Sequence, residues 1–239
     1  MASAEQGPAW LVLPTYNEAD NVEAFVGAVR DKLPASARIL IVDDNSPDGT
    51  GEIADRLAAA AENVSVLHRP RKEGLGPAYI AGFRHALAAG AGFVVEMDSD
   101  FSHDPAYLPR LLEAGSRTDL AIGSRYVEGG GVSEWTALRR AISRGGSAYA
   151  RLVLGVDVRD LTGGFKCFRR EVLEAIDLDT IESRGYAFQV EMTYRTIRHG
   201  FRVIEVPIVF RDRRAGTSKM DRSIVLEAIW RVPLLRFSR

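Results

Sequence analysis

The sequence predicts a single α/β domain with a mostly parallel sheet and helices on both faces, and three observations carry that expectation. From Trp10 to Ile122, short apolar runs alternate with longer segments of helical period, as repeated strand–helix–strand units do. Several of these runs stop abruptly in clusters of Asp, Asn, Ser and Thr, the composition expected where an open parallel sheet offers its carboxyl ends to a ligand. Finally, 239 residues of 46% hydrophobic content can bury one substantial core, and neither internal repeats nor low-complexity linkers mark off a second.

Taken in order, strands are expected at Trp10–Leu13, Arg38–Val42, Val64–His68, Phe93–Met97 and Leu120–Ile122. Between the first two, Ala19–Leu33 places Val22, Phe25, Val26 and Val29 on one helical face, while Ile53–Ala61 and Ala78–Ala88 are alanine-rich helix formers. Asp104 followed by Pro105 reads as an N-cap and first helical residue. After Arg125 the pattern changes: Gly129, Gly130 and Gly131 interrupt the chain before a helical stretch, Trp135–Leu154. A second such stretch runs from Ser223 to Phe237, so that residues 220–239 form a C-terminal amphipathic helix, while residues 1–7 are expected to be disordered. Both stretches mix Trp, Leu, Ile and Val with Arg, which suits a helix lying in a membrane interface; helices closing the core against the sheet would show the same mixture.

Charge and cysteine content narrow the setting. The net charge of −1 lacks the basic excess of a nucleic-acid binder, so no nucleic-acid partner is expected. Its distribution is uneven: residues 195–239 carry eleven Lys and Arg against four Asp and Glu, a local surplus suited to phosphates or an anionic membrane surface. The only cysteine, Cys167, excludes an internal disulfide and points to a reducing, cytoplasmic setting. No run of about 18 apolar residues is present to span a bilayer, so contact with lipid is expected to be peripheral.

Four loops at strand ends carry the chemistry: Pro14-Thr15-Tyr16-Asn17-Glu18, Asp43-Asp44-Asn45-Ser46, Asp98-Ser99-Asp100-Phe101-Ser102-His103-Asp104 and Gly123-Ser124-Arg125-Tyr126. Two carboxylates one residue apart after an apolar run, Asp98 and Asp100, can point into one cleft, where a shared cation relieves their repulsion. A hard ion such as Mg²⁺ or Mn²⁺ takes one or two carboxylates and completes its shell with diphosphate oxygens and water. Asp43 and Asp44 end the second strand, well placed to bond a base or ribose hydroxyl. Ser46-Pro47-Asp48-Gly49-Thr50 alone reads as a turn and helix start. His68, His85 and His199 read as structural or exposed, and His103 lacks ligand-spaced partners.

Together these pieces resemble the family 2 glycosyltransferases, and within them the dolichol-phosphate (polyprenol-phosphate) mannose synthases. The resemblance runs from Leu13 to about Ile224 and also includes Asp160-Leu161-Thr162-Gly163-Gly164-Phe165, Gly185-Tyr186-Ala187-Phe188-Gln189, Glu205-Val206-Pro207-Ile208, Arg213 and Gly216-Thr217-Ser218-Lys219. It implies a GT-A type, Rossmann-like fold. It implies mannose transfer from GDP-mannose to a polyprenyl (dolichyl-type) monophosphate, with inversion, at a cytosolic membrane face, alone or with a separate membrane partner. By the same resemblance Pro14, Tyr16, Glu18, Val42, Asp43 and Asp44 hold the guanosine, and Asp98, Ser99 and Asp100 line the diphosphate. Asp98, Asp100 and Ser102 then bind metal. Arg125, Arg213 and Lys219 surround the diphosphate or acceptor phosphate, with Asp100, Arg125 and Arg213 the catalytic set, and Arg139 lies near the lipid phosphate. Ser99 stands where alanine is usual and Thr217 where glutamate is common. Transfer of glucose or N-acetylglucosamine from a UDP-sugar to the same acceptor remains the alternative. A nucleotidyltransferase would instead show a glycine-rich basic loop after the first strand, where this chain is acidic.

Overall fold

A computed structural model describes residues 7–183, 185–212 and 222–237. In chain order the first half comprises β1 (Ala9–Thr15), α1 (Val22–Arg30), β2 (Arg38–Asp43), α2 (Thr50–Ala60), β3 (Val64–His68), α3 (Leu75–Ala88) and β4 (Phe93–Glu96). A 3₁₀ turn at Pro105–Tyr107 leads into α4 (Leu108–Gly115), followed by β5 (Leu120–Ser124), β6 (Gly131–Val132) and α5 (Ala137–Leu154). Then come β7 (Lys166–Arg169), α6 (Arg170–Ala175), α7 (Gly185–Arg198), β8 (Val203–Pro207), β9 (Val209–Phe210) and α8 (Arg222–Phe237).

Seven strands form the main sheet in the order β3-β2-β1-β4-β7-β5-β8, and β6 pairs with β9 beside it. All neighbours in the main sheet are parallel except β7, which is antiparallel to both β4 and β5. Strands covered on both faces are apolar at every position, and alternate residues serve opposite cores. Trp10, Val12, Leu40 and Val42 face one core, with Tyr79, Phe83, Phe168 and Phe188. Leu11, Leu13, Ile39 and Ile41 face the other, with Phe25, Leu108 and Phe165. Helix α3 lies so close to the sheet that a Cβ added at Gly82 would stand 2.4 Å from Val12 Cγ1.

The five strands expected from sequence are all present, and the Asp104 side chain caps the 3₁₀ turn by accepting from Ala106 N at 2.9 Å. The four later strands were not expected, and β7 shows why. It opens on Lys166, fully buried opposite Glu96, with Nζ 3.3 Å from Glu96 Oε1 and 3.0 Å from the Gln189 carbonyl. Burial pushes the Lys166 ammonium down and the Glu96 carboxyl up, and each one's charge opposes the other's shift. A strand whose inward residue is an ion-paired lysine has no apolar alternation to read.

Helix α5 buries only Ser147, Ala150 and Leu154, while Leu138 (71% exposed), Ile142 and Leu152 (82%) recur on the outer face. Helix α8, packed against it, buries Val232 and Leu235 and exposes Trp230 (76%), Leu234 and Phe237 (81%). The core-closing reading thus holds for a narrow strip, and an apolar stripe faces outward. Trp135 departs from its expected place on the helix, lying buried ahead of the Thr136 cap. No helix among the described residues is long and apolar enough to cross a membrane. The expected disorder at the N-terminus falls on residues 1–6, outside the described residues, apart from Gly7.

Candidate active site

The loops after β1 and β2 are laced together at the carboxyl end of the sheet. Thr15 Oγ1 donates to Asp43 Oδ1 at 3.2 Å, Asp44 N to Thr15 O at 3.1 Å, Asn17 N to Ser46 Oγ at 3.1 Å and Glu18 N to Thr50 Oγ1 at 2.9 Å. Asp43 also accepts from Ser46 N (3.1 Å) and Ser46 Oγ (2.6 Å), while Glu18 accepts from Asn21 Nδ2 at 2.9 Å. Asp48 binds both N and Oγ1 of Thr50, and Thr50 opens α2, so the segment from Ser46 to Thr50 is the turn and helix start that its composition suggested.

Three residues outside the expected set complete this corner. Arg69 forms an ion pair with Asp44 and another with Glu73, and Glu73 N donates to Asp44 Oδ2 at 3.3 Å. The Lys72 ammonium stands 3.9 Å from the centre of the Tyr16 ring, in cation–π range. In sequence Arg69-Pro70-Arg71-Lys72-Glu73 reads as a solvated charged loop, and only its partner across the sheet gives it a place in the site. Val42 needs correction: the whole residue is buried, its side chain beside the position of a Gly82 Cβ and its carbonyl accepting from Thr15 Oγ1 at 3.4 Å, so it supports the strand end and offers no surface of its own.

The Asp98–Asp104 loop is tied in from three sides. Ser99 Oγ donates to the Pro14 carbonyl at 3.2 Å, joining it to the first loop. Tyr79 Oη donates to Asp98 Oδ1 at 3.1 Å, and Ser102 N to Asp100 Oδ1 at 2.9 Å. Ser102 O in turn accepts from Arg211 N at 3.0 Å. Between Asp100 and Ser102, Phe101 sits at φ 64°, and Asn17 (54°) and Asn45 (56°) share this left-handed region in the other two loops. Asparagine tolerates it, but phenylalanine pays about 1–2 kcal/mol; the edge-to-face contact of Phe101 with Phe25, centroids 4.9 Å apart, helps offset that cost.

The donor chemistry fits a hard divalent cation. Asp98 and Asp100 supply oxygens, and Ser102 Oγ is buried without a hydrogen-bond partner among the described residues, although a buried hydroxyl normally has one. No group of three or more His, Cys, Asp or Glu among the described residues is arranged to hold a metal ion. His103 is walled between Phe165 and Phe210, and burial pushes its imidazole down to about 4, with the Asp100 charge opposing, so it is neutral near pH 7.

Arg125 is placed differently from expectation. Its Nε meets Asp160 Oδ2 at 2.7 Å, and its Nη2 meets Asp160 Oδ1 at 2.6 Å and Thr162 Oγ1 at 2.8 Å, all within the interior. Those donors serve Asp160 and Thr162. Arg139 lies 4.2 Å from the Trp135 ring centre and reaches both oxygens of Asp212, at 3.0 and 3.1 Å. Arg213 and Lys219 lie outside the described residues.

The model for glycosyl transferase family 2 matches residues 10–177. An undecaprenyl-phosphate mannosyltransferase of Micrococcus luteus is 53% identical over 218 residues, covering 91% of this chain and 89% of that protein. A polyprenol monophosphomannose synthase of Mycolicibacterium smegmatis is 50% identical over 224 residues, covering 93% and 84%. Among solved structures, the glucosyl-3-phosphoglycerate synthase of Mycobacterium tuberculosis in complex with Mn²⁺, uridine diphosphate and glucosyl-3-phosphoglycerate superposes with a TM-score of 0.70 at 19% identity. That match covers 97% of this chain and 81% of that one. At such identity the likeness speaks to the fold alone, and it bears out the GT-A architecture.

Proposed function

The chain belongs to glycosyl transferase family 2, and from that premise we propose that it transfers mannose from GDP-mannose to a polyprenyl monophosphate, with inversion at the anomeric carbon. The carrying observation is the identity of 50% and 53%, over more than nine-tenths of the chain, to two proteins named for joining mannose to a polyprenyl-type phosphate.

The site residues support an economical mechanism. The acceptor is its own nucleophile: a phosphate monoester with a second pKa of about 6 is largely dianionic at neutral pH, so no side chain has to remove a proton. His103, the one histidine of this loop, is enclosed by aromatic rings and suits packing better than proton transfer. On the donor side, Tyr16 with Lys72, and Asp43 and Asp44 with Arg69, frame a place for the nucleoside. Asp98, Asp100 and Ser102 would hold one Mg²⁺ or Mn²⁺, which when bound neutralises the charge that grows on the leaving diphosphate. Arg125, locked to Asp160, shapes this wall of the cleft, while Arg213 and Lys219 are proposed as its phosphate-facing cations. Arg139 is half-exposed against Asp212, and a half-exposed pair is worth about 0–1 kcal/mol, so a dianionic phosphate can replace that carboxylate.

The outward apolar stripes of α5 and α8, with Arg140, Arg144, Arg151 and Arg236 alongside, suit a peripheral seat on an anionic cytosolic membrane face, with or without a membrane partner. The test is a donor and acceptor screen of the purified protein with Mg²⁺ or Mn²⁺. Labelled mannose from GDP-mannose should enter an organic-extractable polyprenyl-phosphate product of β configuration, and Asp100→Ala should abolish it. Preference for UDP-glucose or UDP-N-acetylglucosamine would replace the mannose reading, and full activity in excess chelator would remove the metal.

A further inference from the structure

Asp98 does not stand alone at the end of β4. The hydroxyl of Tyr79, from α3, donates to its Oδ1 at 3.1 Å. Tyr79 is fully buried, and a buried phenol normally holds a partner. Here the partner is a carboxylate, which has no proton to give back, so the phenol must be the donor.

The ring that carries this hydroxyl has little freedom. Phe83 stacks on it with centroids 5.7 Å apart, and Phe188 of α7 lies 6.0 Å away with the ring planes 2° from parallel. Phe188 is itself confined, since a Cβ on Gly76 would meet its Cδ2 at 3.0 Å and the Ser183 carbonyl at 3.1 Å. Two helices thus converge to place one hydroxyl against one oxygen of one carboxylate. The other oxygen, Oδ2, points to the side of Gly164, whose added Cβ would lie 3.9 Å from it.

We propose that Tyr79 is a positioning residue for the cation site: its bond to Oδ1 fixes the rotamer in which Asp98 meets the metal. This rests on the reading of Asp98 as a metal ligand. Outer hydrogen bonds of this kind orient a ligand before the metal arrives, and their loss typically costs about 10–100-fold in metal affinity. Nothing in the reaction requires the phenol itself to touch the sugar or either phosphate.

The experiment is a Mn²⁺ titration of the full chain in the presence of excess GDP, following the free-ion signal by electron paramagnetic resonance. Wild type is compared with Tyr79→Phe, which deletes the hydroxyl and keeps the stack, and with Phe188→Leu, which keeps the hydroxyl and removes a stacked ring. Thermal melts establish that each variant is folded. In Tyr79→Phe the dissociation constant for Mn²⁺ should rise about 10-fold or more, with a smaller rise in Phe188→Leu, and excess Mn²⁺ should recover most of the lost transfer rate. Unchanged Mn²⁺ binding in Tyr79→Phe, or a rate loss that excess Mn²⁺ does not recover, overturns the assignment. If wild type binds no Mn²⁺ while Asp98→Asn behaves identically, the metal reading of Asp98 fails instead, a result separate from either.

Discussion

Arg125 and Asp160 fasten together the two ends of one long excursion of the chain. Arg125 follows β5 directly, Asp160 precedes β7, and all of α5 lies between them. Besides its guanidinium bonds, Arg125 donates its backbone N–H to Asp160 Oδ2 at 2.9 Å. Asp160 is held from behind by Glu205 of β8, whose Oε1 accepts from Asp160 N at 2.9 Å and whose Oε2 accepts from Arg159 N at 2.8 Å. A buried pair broken on one side leaves an uncompensated charge. Arg125→Ala and Asp160→Ala are therefore each expected to lose about 3–5 kcal/mol of stability, read by denaturant unfolding, and Arg125→Lys to fall between them and wild type, because an ammonium cannot reproduce the fork. A loss below about 1 kcal/mol for Asp160→Ala would show that the pair does not hold the excursion.

The same pair sets a pH dependence. Burial alone would raise the Asp160 carboxyl, but the Arg125 charge and hydrogen bonds outweigh it and hold the group below the ordinary carboxylate range. A carboxyl depressed in the folded state contributes stability that is complete above its unfolded pKa of about 3.9 and is lost as pH falls through the lower folded value. Unfolding free energy measured from pH 5 downward should decline through this window in wild type and decline less steeply in Asp160→Asn. Equal slopes would assign the acid sensitivity to other carboxyls.

Close packing of α3 on the sheet gives a simple steric test. Gly82→Ala drives a methyl to within 2.4 Å of Val12 Cγ1 and 3.1 Å of Val42 Cγ2, and overpacking of this kind costs about 1–3 kcal/mol. A melting temperature equal to wild type would mean that helix and sheet separate more readily than their contact suggests.

At the corner proposed for the nucleoside, Asp44→Ala removes the partner of Arg69 and an acceptor for Glu73 N. If this corner only binds the donor, the KM for GDP-mannose should rise about 10-fold or more while kcat stays within a few-fold. A fall in kcat alone would place Asp44 with the reacting atoms.

For the outer helices, Leu152→Ser combined with Phe237→Ser removes two of the most exposed apolar side chains without touching the core. Sedimentation with vesicles containing anionic lipid should show partitioning reduced by about an order of magnitude. Unchanged partitioning would mean that this face meets something other than lipid.

Much of the architecture was legible because its strands are buried on both faces and read as continuous apolar runs; Leu11 to Leu13 and Ile39 to Val42 are examples. Asp98 and Asp100 stood out as a candidate site because they close such a run beside three other polar strand-end loops, although paired acids there also serve turns, as Asp100 does in accepting from Ser102 N. What escaped was whatever depends on partners distant in the chain. Lys166 looks like a surface residue until Glu96 stands opposite it, and Arg69 and Lys72 look solvated until Asp44 and Tyr16 are beside them. Arg125 was singled out, but its pairing with Asp160 was not, because no spacing rule links the two.

Strand β7 carries one more implication, for synthesis and assembly. Among the described residues it alone joins the β3-β2-β1-β4 block to the β5-β8 pair, so a nascent chain that has not yet emerged past Lys166 holds β4 and β5 with raw, unpaired edges. Such edges invite pairing with other chains. Fragments stopping short of Arg169 should accordingly be prone to aggregate, and completion of the sheet should be a late, all-or-none event that waits for the excursion through α5 to return.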